Sequence, residues 1–215
     1  MTSTPTLSVI VPFYKVETYL DECLASLAGG SLTDFEVIMV DDGSTDASTD
    51  IADRFGRADR RFTLLRQPHR GCGLARNTGA RIARGEHIAF ADGDDLVPPA
   101  AYKLLVGSLE ETGSDIACGG VQRFDSSGSW DSALHAGVFS DTRKRTHIGR
   151  SAKLINDRTI WNKVFRREFW TGRRLAFPDQ LYEDAPVTIP AHYFARHVDL
   201  LSDTVYMWQI GRAHD

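Results

Sequence analysis

The first half of the chain alternates short β-branched runs with helical patterns, and this alternation limits the possible folds more than any other feature. Strands are predicted at 7–12 (LSVIVP), 35–40 (FEVIMV), 62–65, 87–91 (HIAFA) and 116–118, with helices over 16–28, 44–55, 73–84 and 98–110 between them. Strands that alternate with helices in this way form a mostly parallel sheet with helices on both faces. The sequence therefore predicts an α/β fold.

The second half of the chain is less regular. Region 122–146 is rich in Ser, Asp and Gly and is predicted to be a loop, followed by helices over 149–157 and 185–195 and a last strand at 205–210. At 215 residues the chain has the length of one generous domain, and it contains no linker long enough to separate two units. We expect a single domain over 1–215, with a first half at 1–111 and a smaller second half at 112–215.

Charge and cysteine content exclude several classes of protein. The formal net charge is −4, from 25 Lys and Arg against 29 Asp and Glu, whereas proteins that bind nucleic acid usually carry a basic excess. The three cysteines match no metal-binding spacing and suit a reducing compartment. No signal-peptide pattern opens the sequence, and no uncharged apolar run approaches the ~18–20 residues that cross a bilayer. We expect a cytoplasmic protein that does not bind nucleic acid.

Acidic clusters follow two of the predicted strands. Ligands of parallel α/β sheets bind beyond the carboxyl ends of the strands, which is where Asp41-Asp42 and Asp92-Gly93-Asp94-Asp95 fall. Three carboxylates within four residues repel one another, and Mg²⁺ or Mn²⁺ relieves such repulsion while bridging to a diphosphate. The alternative at 92–95 is an acidic turn that caps the next helix. The alternative to a base or ribose contact at 41–42 is a plain turn.

Two further places in the sequence admit both a functional and a structural interpretation. Arg76 follows the segment GCGLA at the start of a helix, from which it can reach a diphosphate or extend into solvent. Glu183 and Asp184 precede a helix, where carboxylates favour the positive end of the helix dipole. A carboxylate in that position can also act as general base toward a hydroxyl. The residues alone leave these alternatives open.

The motifs SVIVPFY, VDDGSTD, GLARNTG, FADGDD and YED, taken in this order, closely resemble those of the family 2 glycosyltransferases, inverting enzymes with the GT-A fold. The resemblance is strong over 7–111, looser over 161–212, and does not extend across 122–146. The stretch WNKVFRREFW, followed by FP and YED, is also similar to the subgroup that builds bacterial capsules and teichoic-acid-like polymers. The resemblance implies a Rossmann-like GT-A domain whose first half binds a nucleotide-sugar and whose second half faces the acceptor.

The resemblance also implies roles for individual residues. Asp184 is implied to be the catalytic base, and Asp92 and Asp94 form the DxD element, with Asp94 holding Mn²⁺ or Mg²⁺ against the diphosphate. Asp42 is expected to bond the nucleobase and Asp95 to point toward the sugar. The residues implied to contact the donor are Pro12, Tyr14, Glu17, Asp41, Asp42, Arg76, Asp92, Asp95, Arg212 and His214.

Together these roles imply metal-dependent, inverting transfer from a nucleotide-sugar, with UDP-sugar favoured, to a hydroxyl of a cell-surface glycan or polyol-phosphate polymer. Trp161, Asn162 and Lys163 are candidates to line the acceptor site, although simple packing is the favoured explanation for Trp161. Basic residues including Arg166 and Arg173 can contact the inner face of an anionic membrane or form a solvated face. Because relatives usually continue further, we expect this chain to lack a C-terminal lid or module.

Other classes of protein remain as alternatives. A non-catalytic nucleotide-sugar-binding module on the same fold would bind donor and metal without transfer. A nucleotidyltransferase would need a basic signature after the first strand, where only Lys15 is found. A glycoside hydrolase needs two carboxylates but no nucleotide pocket, and an oxidoreductase needs glycines in the first strand–helix turn, PFYKVE, which contains none.

Overall fold

The computed structural model describes residues 4–180 and 182–211. In that part of the chain, nine strands form one sheet in the order β3-β2-β1-β4-β8-β5-β9-β7, with β6 paired to β5. The strands are β1 (Leu7–Phe13), β2 (Phe35–Asp41), β3 (Phe62–Arg66), β4 (His87–Phe90), β5 (Ile116–Asp125), β6 (Gly128–Asp131), β7 (Arg143–Thr146), β8 (Lys163–Arg166) and β9 (Val198–Gln209).

The first half supplies four parallel strands in a regular register. On one side of β1, Leu7 pairs with Phe35 at the start and Phe13 with Asp41 at the end. On the other side, β4 pairs over a shorter stretch, from His87 opposite Leu7. Strands β1, β2 and β4 are buried along their whole length, which explains their continuous apolar runs. Their carboxyl ends therefore meet at one edge of the sheet.

Seven α-helices accompany this sheet in the described residues. They are α1 (Leu20–Ala28), α2 (Ser48–Ala58), α3 (Cys72–Ile82), α4 (Ala101–Thr112), α5 (Ala133–Ala136), α6 (Arg167–Gly172) and α7 (Ala185–Phe194). Helix α3 packs against β1 and β2, so the backbone at Gly79 lies close to Ile10 and Val40. A Cβ at Gly79 would stand 2.5 Å from the Ile10 side chain, which makes glycine necessary for this close packing.

The second half joins the sheet through an antiparallel strand. Strand β8 lies between β4 and β5 and runs against both, with Phe165 opposite Ile88 on one side and Ile116 on the other. Strand β9 is parallel to β5, and β7 is antiparallel to β9. Six of the nine strands (β1, β2, β3, β4, β5 and β9) thus point the same way, which confirms the mostly parallel α/β sheet.

Several sequence-based boundaries in the second half were wrong. Region 122–146, predicted to be a loop, contains the end of β5, strand β6, helix α5 and strand β7. Its polar composition suits strands whose side chains face solvent, since β6 is exposed throughout. The predicted helix over 149–157 is a short 3₁₀ turn, Ala152–Asn156, and the last strand begins at Val198 rather than near residue 205.

Three helices in the first half begin later than the sequence predicts: α4 begins at Ala101 rather than 98, and the expected first turns of α1 and α2 are held by neighbouring loops. The amide N–H of Val16 donates to Ser48 Oγ at 2.9 Å, which keeps 14–19 in a turn before α1. Ser44, expected to cap α2, instead accepts from the Lys15 N–H at 3.2 Å. Helix α2 then begins at Ser48.

A single apolar core runs under both halves of the sheet, from Leu7 and Ile10 in β1 to Val205 and Tyr206 in β9. No helix among 4–180 and 182–211 is long and apolar enough to cross a membrane.

Candidate active site

The carboxyl ends of the parallel strands open into a cavity of about 310 Å³, here called the strand-end pocket. Its walls come from the loops after β1, β2, β3 and β4, the edge at which the acidic clusters were expected. It is lined by Pro12, Phe13, Tyr14, Val16, Asp42, His69, Cys72, Asp92, Gly93 and Asp94. The fold thus brings together five residues singled out in the sequence, namely Pro12, Tyr14, Asp42, Asp92 and Asp94.

Asp42 organises one wall of the strand-end pocket. Its buried carboxylate accepts hydrogen bonds from Gln67 Nε2 at 2.7 Å and from the backbone N–H groups of Arg70 and Gly71 at 3.0 and 2.8 Å. His69 Nδ1 lies 2.8 Å from the same carboxylate. Asp42 therefore fixes the loop after β3, and any contact with a nucleobase would share these oxygens.

An aromatic pair forms the outer wall of the pocket. The Tyr14 and His69 rings stack with their centroids 4.0 Å apart and an interplanar angle of 25°. Tyr14 is 38% exposed, and the Lys15 ammonium lies over its ring at 5.2 Å from the centroid, so a partly exposed aromatic ring and a cation stand together at this wall. The sequence interpretation missed His69, although its position just after β3 is itself the signal of a strand-end residue.

Glu17 and Asp41 brace loops and are absent from the described residues that line the pocket. The Asp41 carboxylate accepts from the Ser44 N–H at 2.8 Å and from Thr49 Oγ1 at 2.5 Å. Glu17 Oε2 accepts from the Ala47 N–H at 2.8 Å, at the start of α2. Their expected contacts with a donor stay predictions.

The three carboxylates that follow β4 point to different places. Asp92 and Asp94 line the strand-end pocket. Asp95 is buried, and its carboxylate accepts from the Tyr206 hydroxyl at 3.0 Å and from the Gln209 N–H at 2.8 Å. Asp95 thereby ties this loop to β9, and its expected orientation toward a sugar stays a prediction.

A second cavity of about 470 Å³, here called the Asp184 cleft, adjoins the first, and Asp92 lines both. Its other lining residues come from α3, from the segment before β8, and from the segment that leads into α7: Arg76, Arg158, Thr159, Tyr182, Glu183, Asp184 and Ala185. The sequence placed Asp92 and Asp184 far apart in the chain, and the fold makes them neighbours.

Arg76 connects the two cavities. Its buried guanidinium donates from Nη2 to Asp92 Oδ1 at 2.6 Å and from Nη1 to Glu183 Oε1 and Asp184 Oδ1, each at 2.8 Å. Phe177 packs under it, with the guanidinium carbon 5.2 Å from the ring centroid. Charge-assisted bonds of this kind fix the positions of all three carboxylates. A role of Arg76 toward a donor stays a prediction.

The charges at Arg76 do not balance. One guanidinium faces three carboxylates, and burial raises the pKa of Asp184 to about 6, with the negative charges of Asp92 and Glu183 acting in the same direction. The Arg76 charge and the Ile160 N–H, which donates to Asp184 Oδ2 at 3.0 Å, oppose that rise. A carboxyl group with a pKa near 6 is a far better base at neutral pH than an ordinary aspartate.

The donor set beside this cluster fits a hard divalent cation. Asp92 and Asp94 present carboxylate oxygens to the strand-end pocket, and carboxylates are the ligands preferred by Mg²⁺ and Mn²⁺. The excess negative charge around Arg76 adds to the attraction for a cation.

A second cluster of metal-binding residue types fits a cation less well. Cys118, Asp157 and His192 are all buried, and one ligand atom from each lies within 4.8 Å of the others. The ammonium of Lys163, also fully buried, lies 2.7 Å from Asp157 Oδ1 and already balances its charge. Burial also raises the pKa of the Cys118 thiol, which disfavours the thiolate that a metal requires.

The acceptor-side predictions need correction. Asn162 and Lys163 are fully buried and Trp161 is 5% exposed, so none of the three offers a binding surface. Trp161 packs on Tyr206, with ring centroids 4.2 Å apart. The expected donor contacts Arg212 and His214 lie outside the described residues.

Comparison with known proteins agrees with this geometry. The model of "Glycosyl transferase family 2" matches residues 8–172. The EpsH protein of Bacillus subtilis (strain 168) is 33% identical over 211 residues, which cover 96% of this chain and 61% of EpsH. The poly(ribitol-phosphate) beta-N-acetylglucosaminyltransferase TarS of Staphylococcus aureus (strain Mu50 / ATCC 700699) is 29% identical over 214 residues, covering 95% of this chain and 35% of TarS. The chain thus spans less than two thirds of the length of these relatives.

Solved structures give the same result for the fold. The crystal structure of S. aureus TarS 1–349 matches with a TM-score of 0.85 at 27% identity, covering 95% of this chain and 60% of that one. The same fragment in complex with UDP-GlcNAc matches with a TM-score of 0.83 at 26% identity, covering 97% and 60%. The GT-A fold expected from the sequence is therefore confirmed. The family match, the relatives and the shared fold together show that this chain belongs to glycosyl transferase family 2.

Proposed function

We propose that this chain is the catalytic domain of an inverting glycosyltransferase that moves a sugar from a UDP-sugar to a hydroxyl of a cell-surface polymer. The observation that carries the proposal is the Arg76 cluster. It places Asp184, a carboxyl group with a pKa near 6, beside Asp92 of the strand-end pocket. A base next to a diphosphate-binding pocket is the arrangement that transfer from a nucleotide-sugar requires.

The strand-end pocket is the proposed donor site. The Tyr14–His69 pair at the outer wall suits contact with a flat pyrimidine, and the Asp42 wall supplies carboxylate oxygens at its edge. TarS, with which this chain shares its fold, binds both UDP and UDP-GlcNAc in crystals. These likenesses favour UDP over other nucleoside diphosphates. Arg212 and His214 stay proposed diphosphate contacts, by resemblance alone.

Asp92 and Asp94 are the proposed ligands of Mn²⁺ or Mg²⁺. A bound divalent cation would act as a Lewis acid that neutralises the charge developing on the leaving diphosphate. Asp92 also bonds Arg76, so the residue that would hold the cation is linked through one guanidinium to the proposed base.

Asp184 performs the proposed proton transfer. Its carboxylate takes the proton of the acceptor hydroxyl as that oxygen attacks C1 of the sugar from the face opposite the diphosphate. The new C1–O bond forms while the bond from C1 to the diphosphate oxygen breaks, so the anomeric configuration is inverted. Arg76 keeps Asp184 in place, and burial keeps its basicity high enough to accept the proton near neutral pH.

The Asp184 cleft is the proposed acceptor site. Exposed Tyr182 and Arg158 stand at its edge, and they offer an aromatic face and a cation to a passing polymer. Two relatives, TarS and a poly(ribitol-phosphate) beta-glucosyltransferase of Bacillus spizizenii, act on poly(ribitol-phosphate) by name. We propose a polyol-phosphate or related cell-surface glycan as acceptor, with the reaction taking place in the cytoplasm at the inner face of the membrane.

The experiment is a transfer assay with UDP-GlcNAc, Mn²⁺ and a short poly(ribitol-phosphate) acceptor, followed by NMR of the anomeric proton in the product. The proposal predicts a β-linked product from the α-linked donor and loss of transfer on chelation of the metal. A retained α-linkage would contradict the inverting mechanism. Metal-dependent binding of UDP-GlcNAc without transfer or donor hydrolysis would instead indicate a non-catalytic binding module.

A further inference from the structure

A fully buried ion pair lies behind the Asp184 cleft. Lys163 Nζ is 2.7 Å from Asp157 Oδ1, and both side chains have no exposed surface. An ion pair removed from water costs several kcal/mol per ion in desolvation, which its own attraction only partly returns. Stability alone therefore does not explain such a pair, and the groups that it holds in place are the better guide to its role.

The segment 157–162 folds around the ammonium of Lys163. Besides Asp157, that ammonium donates to the backbone carbonyl of Thr159 and to Asn162 Oδ1. Asn162 Nδ2 in turn donates to Asp157 Oδ1 at 3.0 Å and to the Gly119 carbonyl at 3.1 Å. One buried cation thus fixes three points of a six-residue turn, and Asn162 attaches the turn to strand β5 through Gly119.

The middle of this turn touches the proposed base. The N–H of Ile160, which follows the carbonyl held by Lys163, donates to Asp184 Oδ2 at 3.0 Å. Asp184 Oδ1 is held by Arg76 at 2.8 Å, so its two oxygens have different partners. Thr188 Oγ1 adds a second connection by donating to the Arg158 carbonyl at 2.8 Å.

We propose that Lys163 is a positioning residue for sugar transfer: its buried ammonium, paired with Asp157, holds the 157–162 turn so that the Ile160 N–H fixes the orientation of the Asp184 carboxylate. The inference rests on the proposed role of Asp184 as base. Lys163 touches neither pocket, so it acts only through the turn. A displaced general base slows the chemical step while leaving donor binding intact.

The test uses a variant that removes both charges together. Lys163→Met alone would leave the buried Asp157 carboxylate without the ammonium that balances its charge and is expected to unfold the domain. The double variant Asp157→Asn/Lys163→Met leaves no unpaired buried charge. A control variant, Glu36→Gln/Arg84→Met, removes another, partly exposed ion pair, in which Arg84 Nη2 lies 2.6 Å from Glu36 Oε2. This pair lies at the amino end of β2, away from the strand-end pocket.

Two readouts are compared for the folded parent, double variant and control, at a temperature well below the thermal unfolding midpoint of each protein. The first is single-turnover transfer with saturating donor and acceptor, measured beside the donor Kd. The double variant should transfer at least about tenfold more slowly with the donor Kd within about twofold of the parent, and the control should transfer normally. The second is hydrogen exchange of the Ile160 amide, which should speed up at least about tenfold in the double variant and stay unchanged in the control.

If the Ile160 amide of the folded double variant exchanged hydrogen as slowly as in the parent, the inference would be overturned, whether or not the chain catalyses transfer. Transfer within about twofold of the parent, or an equal loss in the control, would also overturn it. Failure of the proposed function gives a different pattern, because Asp184→Asn would then transfer as fast as the parent.

Discussion

The two halves of the domain position their residues at the same site in different ways. Pro12, Asp42 and Asp92 stand directly at or just after parallel strands, so regular strand geometry places them. Asp184 precedes α7 in an irregular segment, and it is held in the site by contacts with Arg76 and Ile160. The difference teaches that the geometry of the proposed donor site is set locally by the sheet, whereas the position of the proposed base depends on a few long-range polar contacts.

Arg76 connects the site residues of the two halves. It is 16 residues from Asp92 but 107 and 108 residues from Glu183 and Asp184. The domain therefore holds its proposed base through a residue of the first half. Variants on either side of this link should separate donor binding from transfer.

The largest expected effect comes from removing the base in the second half. Asp184→Asn keeps the shape of the side chain but cannot accept the acceptor proton, so single-turnover transfer should fall about 10²–10⁴-fold. The donor Kd, measured by calorimetry, should stay within about twofold. Glu183→Gln is the matched control, because it removes a neighbouring carboxylate bonded to the same guanidinium. Equal loss in both variants would mean that Asp184 has no special role.

Breaking the link itself should cost stability. Arg76→Met leaves three carboxylates facing one another in a half-buried site, so the free energy of unfolding should fall by about 3–5 kcal/mol, measured by urea denaturation at pH 7. Arg81→Met, one turn and a half further along α3 and on its exposed surface, should change stability by less than about 0.5 kcal/mol. Equal stability of the two variants would contradict the Arg76 cluster.

A change in the first half should act on binding instead. Asp94→Asn removes one proposed cation ligand, so the affinity for UDP-GlcNAc in the presence of Mn²⁺ should fall about 10–100-fold. Asp50→Asn, in the first turn of α2, should leave it unchanged. In the absence of metal, the parent and Asp94→Asn should bind the donor alike. If Asp94→Asn lost donor affinity equally with and without metal, Asp94 would be assigned to direct contact with the donor instead of to the cation.

The smallest expected effect is the pH dependence. Because the pKa of Asp184 is raised to about 6 by burial, transfer at saturating substrates should fall about tenfold per pH unit below 6 and level off above about 7. Between about pH 4 and 6 the Asp184 carboxyl group stays protonated in the folded state but is ionised in the unfolded state. The free energy of unfolding should therefore fall as pH rises through this range. Asp184→Asn should lose this contribution in urea denaturation. An identical pH slope in parent and variant would contradict the raised pKa.

The sequence predicts the first half of the fold well because its signals there are local. Buried parallel strands produce continuous apolar runs, and the turns after β2 and β4 carry their acidic residues within five positions of the strand end. The same rule, applied to the turn after β3, would have found His69. Helix starts were less accurate, since side chains such as Ser48 Oγ bind distant backbone and hold the preceding turn.

The second half is harder to predict for a physical reason. Strand β6 is exposed and has no apolar pattern, and β8 is only four residues long. Lys163 looks like a surface residue in any linear pattern, and only the pairing with Asp157 explains its complete burial. The Arg76 contacts with Glu183 and Asp184 span more than a hundred residues and leave no local trace.

Calorimetric titration of UDP-GlcNAc with Mn²⁺ into the parent, Asp94→Asn and Asp184→Asn proteins tests the division between the halves most directly. The account predicts that Asp184→Asn binds the donor as tightly as the parent. Asp94→Asn should bind the donor about 10–100-fold more weakly than the parent when metal is present, and equally tightly when it is absent. Loss of donor binding in Asp184→Asn, with binding intact in Asp94→Asn, would contradict it.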